Sequence, residues 1–306
     1  MTKRKKRQLI ALLFFLFILA IIIFLSVRPL QIYQTTTTQP EEDNIQQVIE
    51  QVQEKDEEAS SPADELSLNL REAVDQALNI FASQDFHITA IGDSLTQGVG
   101  DETNSEGYVG VLKNKLSNEG YRLQFNNFGR RGNRTDQLIV RLEEESALQR
   151  SISNSDIVLV TIGANDIMRI VRENFLNLQE DIFINEQLEY EERLNTIFEM
   201  IIDLNDQAHV FLIGFFNPFE GYFDEVEELS TILTSWNQSG EQLTNNYPLI
   251  QYIPIDDLFQ IGGVNLLAED NFHPNSTGYS LIASRVLNYL QPALEDIILE
   301  RTAQAQ

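Results

Sequence analysis

The segment Asp156–Ile162 constrains the fold more than any other stretch of this chain. After its aspartate it is a near-continuous apolar and β-branched run, Ile-Val-Leu-Val-Thr-Ile, and it offers no polar face. A strand without alternation has both faces covered, which in practice means a parallel sheet with helices above and below. The surrounding pattern agrees. Phe86–Ile91, Arg122–Phe128, His209–Phe215 and Leu249–Ile255 read as further strands. Helical spacing fills the intervals, at about 108–117, 136–148, 166–174, 187–206, 224–245 and from Ser276 to about 300. Five strands separated by helices predict a three-layer α/β/α domain around a five-stranded parallel sheet of flavodoxin-like type. Spacing alone leaves the strand order open.

The chain ahead of this domain has a different character. Met1–Arg7 holds five basic residues, and Leu9–Val27 follows with 19 residues free of charge and proline. That length matches the ~20 residues needed to cross a bilayer core, and the basic flank keeps the N-terminus inside. Residues 8–28 are thus expected to be an uncleaved signal anchor behind a cytoplasmic tail at 1–7. A cleaved signal peptide, which would make the protein secreted, fits less well because the run has no small-residue cleavage site. Residues 29–66, with Thr35–Thr38 and the acidic runs at 41–43 and 56–58, read as an acidic, unfolded stalk. An amphipathic helix at 68–81 would lead into the domain, placed at 67–302.

Charge and cysteine content narrow the chemistry. Six of the 21 basic residues fall in the first 28 positions, which hold no acid, so the remainder carries 15 basic against 47 acidic side chains. Such a surface repels phosphate backbones and argues against nucleic acid as a partner. With no cysteine there is no disulfide, thiolate metal site or thiol nucleophile.

Four segments meet what should be the carboxyl edge of the sheet, where ligands of open α/β sheets bind. Gly92-Asp93-Ser94-Leu95 ends the first strand and presents Ser94 either as a nucleophile or as a simple turn and cap. Gly132, between Arg131 and Asn133, lets a substrate oxygen approach its backbone N–H, or is an ordinary turn with Thr135 capping the next helix. Asn165 ends the best strand and can donate to a negative oxygen without ever being charged; Asp166 beside it reads as a helix cap. His273 is the general-base candidate, since His87 and His209 start strands at the wrong edge. Pro274 holds it in extended backbone, and Asp270 can bend round to its Nδ1–H.

Taken together, these blocks resemble the SGNH, or GDSL-type, serine hydrolases, a family of esterases and lipases. Gly92-Asp93-Ser94-Leu95 matches the first block, Gly132 the glycine of the second, Gly163-x-Asn165-Asp166 the third and Asp270-x-x-His273 the last. The chain departs from the family at the second block, where Arg130, Arg131 and Arg134 surround Gly132 in place of small residues. The resemblance implies a Ser94–His273–Asp270 triad and an oxyanion hole of the Ser94 N–H, the Gly132 N–H and the Asn165 amide. It also implies acyl transfer through an acyl-enzyme with no metal or organic cofactor. The substrate would be an ester: a lipid, an acylated cell-wall glycan or a small soluble ester. The aromatic run Phe215, Phe216, Phe219, Tyr222 and Phe223 would line an acyl pocket or a flap, or serve as core under a long loop. Two other functions stay open at this level: a surface-tethered binding module without turnover, and thioesterase or peptidase activity on the same triad.

Overall fold

The computed structural model describes residues 85–174, 180–218, 227–260 and 264–304. The apolar run Leu9–Val27, the stalk and the expected helix at 68–81 lie outside them. Among the described residues no helix is long and apolar enough to cross a membrane.

The elements run β1 (Asp85–Gly92), α1 (Ser94–Gln97), α2 (Gly107–Asn118), β2 (Arg122–Gly129), α3 (Thr135–Glu144), α4 (Ser146–Ser153) and β3 (Ile157–Thr161). They continue as α5 (Ala164–Glu173), α6 (Glu180–Leu204), β4 (His209–Ile213), α7 (Glu227–Thr244), β5 (Ile250–Ile253), a 3₁₀ turn (Asp256–Phe259) and α8 (Ser276–Gln304). All strand pairs are parallel, in the order β2-β1-β3-β4-β5. This is the flavodoxin-like order, and it reverses direction between β1 and β3.

Every residue of β3 is buried, and its side chains alternate between two cores. Ile157 and Leu159 join a cluster with α2 and α8, where Tyr279, Ile282, Val286, Leu290, Leu294 and Ile298 keep one apolar stripe over five turns. Val158 and Val160 join the opposite cluster with α3, α4, α6 and α7, built around Trp236 stacked on Tyr190. The sheet is thus covered on both faces, as its sequence requires.

Two boundaries differ from the sequence reading for identifiable reasons. The single helix expected at 136–148 is two, because Glu145 is extended (φ −85°, ψ 90°). The Gln149 amide then satisfies the carbonyls of Leu142 (2.8 Å) and Glu143 (2.9 Å) that the break leaves free. Strand β4 stops at Ile213 because Asn237 of α7 takes over the pairing: its amide accepts from Phe215 N–H (2.8 Å) and donates to Phe215 C=O (3.0 Å). That exchange turns Phe215 out of the sheet and towards the candidate site.

Candidate active site

Strand β1 ends on a residue that must be glycine. Gly92 has φ +142°, and a Cβ there would lie 2.0 Å from Thr161 C=O on β3. The close approach lets Asp93 N–H donate to that carbonyl at 3.0 Å while Gly92 C=O accepts from Arg130 N–H at 2.9 Å. The loops after β1, β2 and β3 are stitched together at one point. Asp93 caps α1, accepting from Leu95 N–H and from the Thr161 hydroxyl, both at 3.0 Å. Its carboxyl is only 4 % exposed, and that burial pushes its pKa up to about 6 despite the two hydrogen bonds.

Ser94 is the first residue of α1. Its N–H, an orphan of the helix start, has no partner among the described residues, and neither does Gly132 N–H. His273 comes from the loop before α8, 179 residues away, and its Nε2 lies 2.9 Å from Ser94 Oγ. Its Nδ1 lies 2.6 Å from Asp270 Oδ2, while Asp270 Oδ1 accepts from the N–H groups of Phe272 (3.0 Å) and His273 (2.9 Å). Burial raises the Asp270 pKa, but the bonds from the His273 ring and backbone outweigh it, and the carboxyl is held at about 2. An ionised carboxylate only accepts, so Nδ1 carries the proton of the neutral ring and Nε2 is left to accept from the Ser94 hydroxyl. Gly100 closes the back of this arrangement. A Cβ on it would sit 2.9 Å from His273 Cβ and 2.6 Å from Pro274 C=O.

Asn165, in the first turn of α5, donates from Nδ2 to Asn133 C=O at 3.1 Å. This leaves one amide hydrogen uncommitted and ties the Gly132 loop to the end of β3. Gly132 itself has φ +79° with open space where a Cβ would stand, so its requirement is conformational. Asp166 is a correction to the sequence reading. The cap position of α5 is Gly163, and Asp166 instead serves another helix, accepting from Thr135 N–H (3.1 Å) and the Thr135 hydroxyl (2.5 Å) at the start of α3. Thr135 is therefore the first residue of α3 and not its cap.

Sequence reading missed three residues that hold these loops. Arg141, 6 % exposed, donates to Asn133 Oδ1 (2.6 Å), Phe128 C=O (2.8 Å) and Glu145 (3.1 Å). Gln97 Oε1 accepts from Arg131 N–H at 2.6 Å; Asn237 is the third. Only Arg141 left a trace in the sequence: it falls on the apolar stripe with Leu138 and Leu142, where a charge needs partners.

A largely apolar cleft opens beside Ser94 and His273. Its walls include Ile162, Ala164, Ile167, Met168, Phe215 and Leu233, and it encloses about 660 Å³ with its open mouth included. The undecided aromatic run divides here. Phe215 and Phe216 line the cleft, while Phe215 also belongs to the core against Tyr190 and Phe216 stacks on Phe259. Phe219, Tyr222 and Phe223 lie outside the described residues.

A flavodoxin-ordered sheet with the Ser94, Gly132 and Asn165 loops gathered where the order reverses fits the class of SGNH α/β hydrolases. Within that class the chain belongs to the GDSL-like lipase/acylhydrolase family, whose model matches residues 90–281, and it is a carboxylic ester hydrolase. It is 37 % identical over 203 residues to Uncharacterized protein YpmR of Bacillus subtilis (strain 168), covering 65 % of this chain and 79 % of that one. Over 203 residues it is 23 % identical to the spore germination lipase LipC of Bacillus licheniformis, covering 65 % and 93 %. The crystal structure of the lipase Lip_vut3 from a goat rumen metagenome shares the fold with a TM-score of 0.60 at 22 % identity, over 66 % of this chain and 96 % of that one.

Proposed function

We propose that the protein hydrolyses carboxylic esters of apolar acyl chains, with Ser94 as nucleophile, His273 as general base and Asp270 as the group that orients it. The observation that carries the reading is the hydrogen-bonded chain Ser94 Oγ–His273 Nε2 (2.9 Å) and His273 Nδ1–Asp270 Oδ2 (2.6 Å) at the mouth of an apolar cleft. His273 Nε2 takes the Ser94 proton as Oγ bonds to the carbonyl carbon, and the C=O electron pair moves onto oxygen. The Ser94 N–H, Gly132 N–H and Asn165 amide stabilise that oxyanion. Collapse expels the alcohol, which receives its proton from His273. Water then repeats the cycle on the acyl-enzyme and releases the acid.

The cleft favours a chain over an acetyl group, because each buried methylene contributes about 0.8 kcal/mol. A panel of p-nitrophenyl esters from acetate to palmitate, run beside an acyl-thioester and a peptide, tests this. The reading requires rates that rise from acetate to medium chains and fall once the cleft is full. A flat or acetate-first profile would remove the acyl-cleft assignment, and faster thioester turnover would move the function to thioester cleavage.

The same proposal places the domain outside the membrane on a single-pass anchor at 8–28 and the stalk at 29–66. Its support is the sequence alone: five basic residues followed by 19 uncharged ones. Carbonate extraction of expressing cells, with protease added outside, should leave full-length protein in the membrane and the domain open to digestion. Release into the supernatant, or protection from protease, contradicts the placement.

A further inference from the structure

We propose that Arg131 selects esters whose leaving alcohol carries an anionic group. The inference rests on the esterase reading above and extends it to the alcohol side of the substrate. In the order β2-β1-β3-β4-β5, the apolar cleft is built from residues after β1, β3 and β4 together with the His273 loop. An acyl chain lying there points the ester's alcohol to the remaining side of Ser94, which belongs to the loop after β2. This loop and α3 line a second depression whose lining residues are mostly charged or polar and include Arg131 and Gly132.

Four of the 15 basic residues beyond position 28 fall within Arg130–Arg141, a concentration that folding does not use up. Arg130 pairs with Glu145 (2.7 Å), Arg134 with Asp136 (2.9 Å), and Arg141 is spent on Asn133, Phe128 and Glu145. The exposed Arg131 guanidinium meets no acid among the described residues, yet its backbone is fixed by the bond from its N–H to Gln97, in the same short helix as Ser94. Of the acids lining this depression, Asp136 pairs with Arg134 and Glu145 with Arg130 and Arg141, and among the described residues Glu144 makes no ion pair with Arg131. The overall negative charge acts at long range and is screened within about 8 Å at physiological salt, so at contact the near guanidinium dominates. Its five N–H donors suit a phosphate or carboxylate.

The test uses three hexanoyl esters that share one acyl group and one backbone: hexanoylglycerol, hexanoylglycerol 3-phosphate and 3-O-hexanoylglycerate, each below its micellar concentration. The ratio of kcat/KM for either anionic ester to the neutral one should fall roughly five- to tenfold in Arg131→Gln. It should fall further in Arg131→Glu, largely persist in Arg131→Lys, and shrink in 0.5 M NaCl. Arg150→Gln on α4 removes an exposed positive charge elsewhere and should leave the ratio unchanged. A ratio insensitive to Arg131 while hydrolysis still depends on Ser94 overturns this inference alone. Hydrolysis of the neutral ester by Ser94→Ala overturns the esterase reading beneath it.

Discussion

Asn165, in the first turn of α5, donates its amide to the Asn133 carbonyl at 3.1 Å, which holds the Gly132 loop and leaves one amide hydrogen for the oxyanion of the proposed mechanism. Asn165→Ala should therefore lower kcat by about 10²–10³, the cost of one oxyanion donor, with a smaller change in KM. Steady-state kinetics on a p-nitrophenyl ester measure this. A change confined to KM would mean that Asn165 only positions substrate.

The buried carboxyl of Asp93, next to Ser94, makes stability depend on pH. Burial raises the folded pKa of Asp93 to about 6, above the ordinary 3.8. The folded state therefore keeps a proton that the unfolded chain loses between about pH 4 and 6, and stability falls as pH rises through that window. Asp93→Asn, neutral throughout, should gain on the native protein by up to about 3 kcal/mol between pH 4 and pH 8. Paired urea melts at the two pH values give the difference. A constant offset would show that Asp93 titrates normally.

Asp270 behaves in the opposite sense. Its folded pKa of about 2 lies below the ordinary value, so its contribution to stability is present above about pH 4 and is lost as pH falls towards 2. Above about pH 4 it is ionised. Asp270→Asn should cut kcat by roughly 10²–10⁴, since nothing then enforces the tautomer that leaves Nε2 open. Full activity in that variant would separate Asp270 from the mechanism.

What the sequence disclosed follows from which forces are local. Strand β3 was legible because burial on both faces leaves Thr161 as the single polar residue in Ile157–Thr161. Ser94 and His273, which the fold brings to 2.9 Å, could be singled out because few residue types suit the proposed chemistry and the chain has only three histidines. The pairings between distant segments were not. Asp166 reads as a local cap, yet it bonds to Thr135, 31 residues earlier. Glu145 sits in an unbroken helical pattern, yet Arg130, 15 residues earlier, pairs with it where the helix breaks. Asn237 has the look of a surface residue on α7 but completes the backbone bonding of Phe215. In each case a polar side chain satisfies a backbone or charged group that only the tertiary fold brings near, and no window of sequence contains both partners.

The most direct measurement is the pairwise kinetics of Ser94→Ala, His273→Ala and the double variant on one ester, with folding checked by circular dichroism. Each single substitution should lower kcat by several orders of magnitude, and the double should be scarcely worse than either, because the two groups act as one unit. Near-native turnover by a folded Ser94→Ala variant, or losses that multiply in the double variant, would contradict the account.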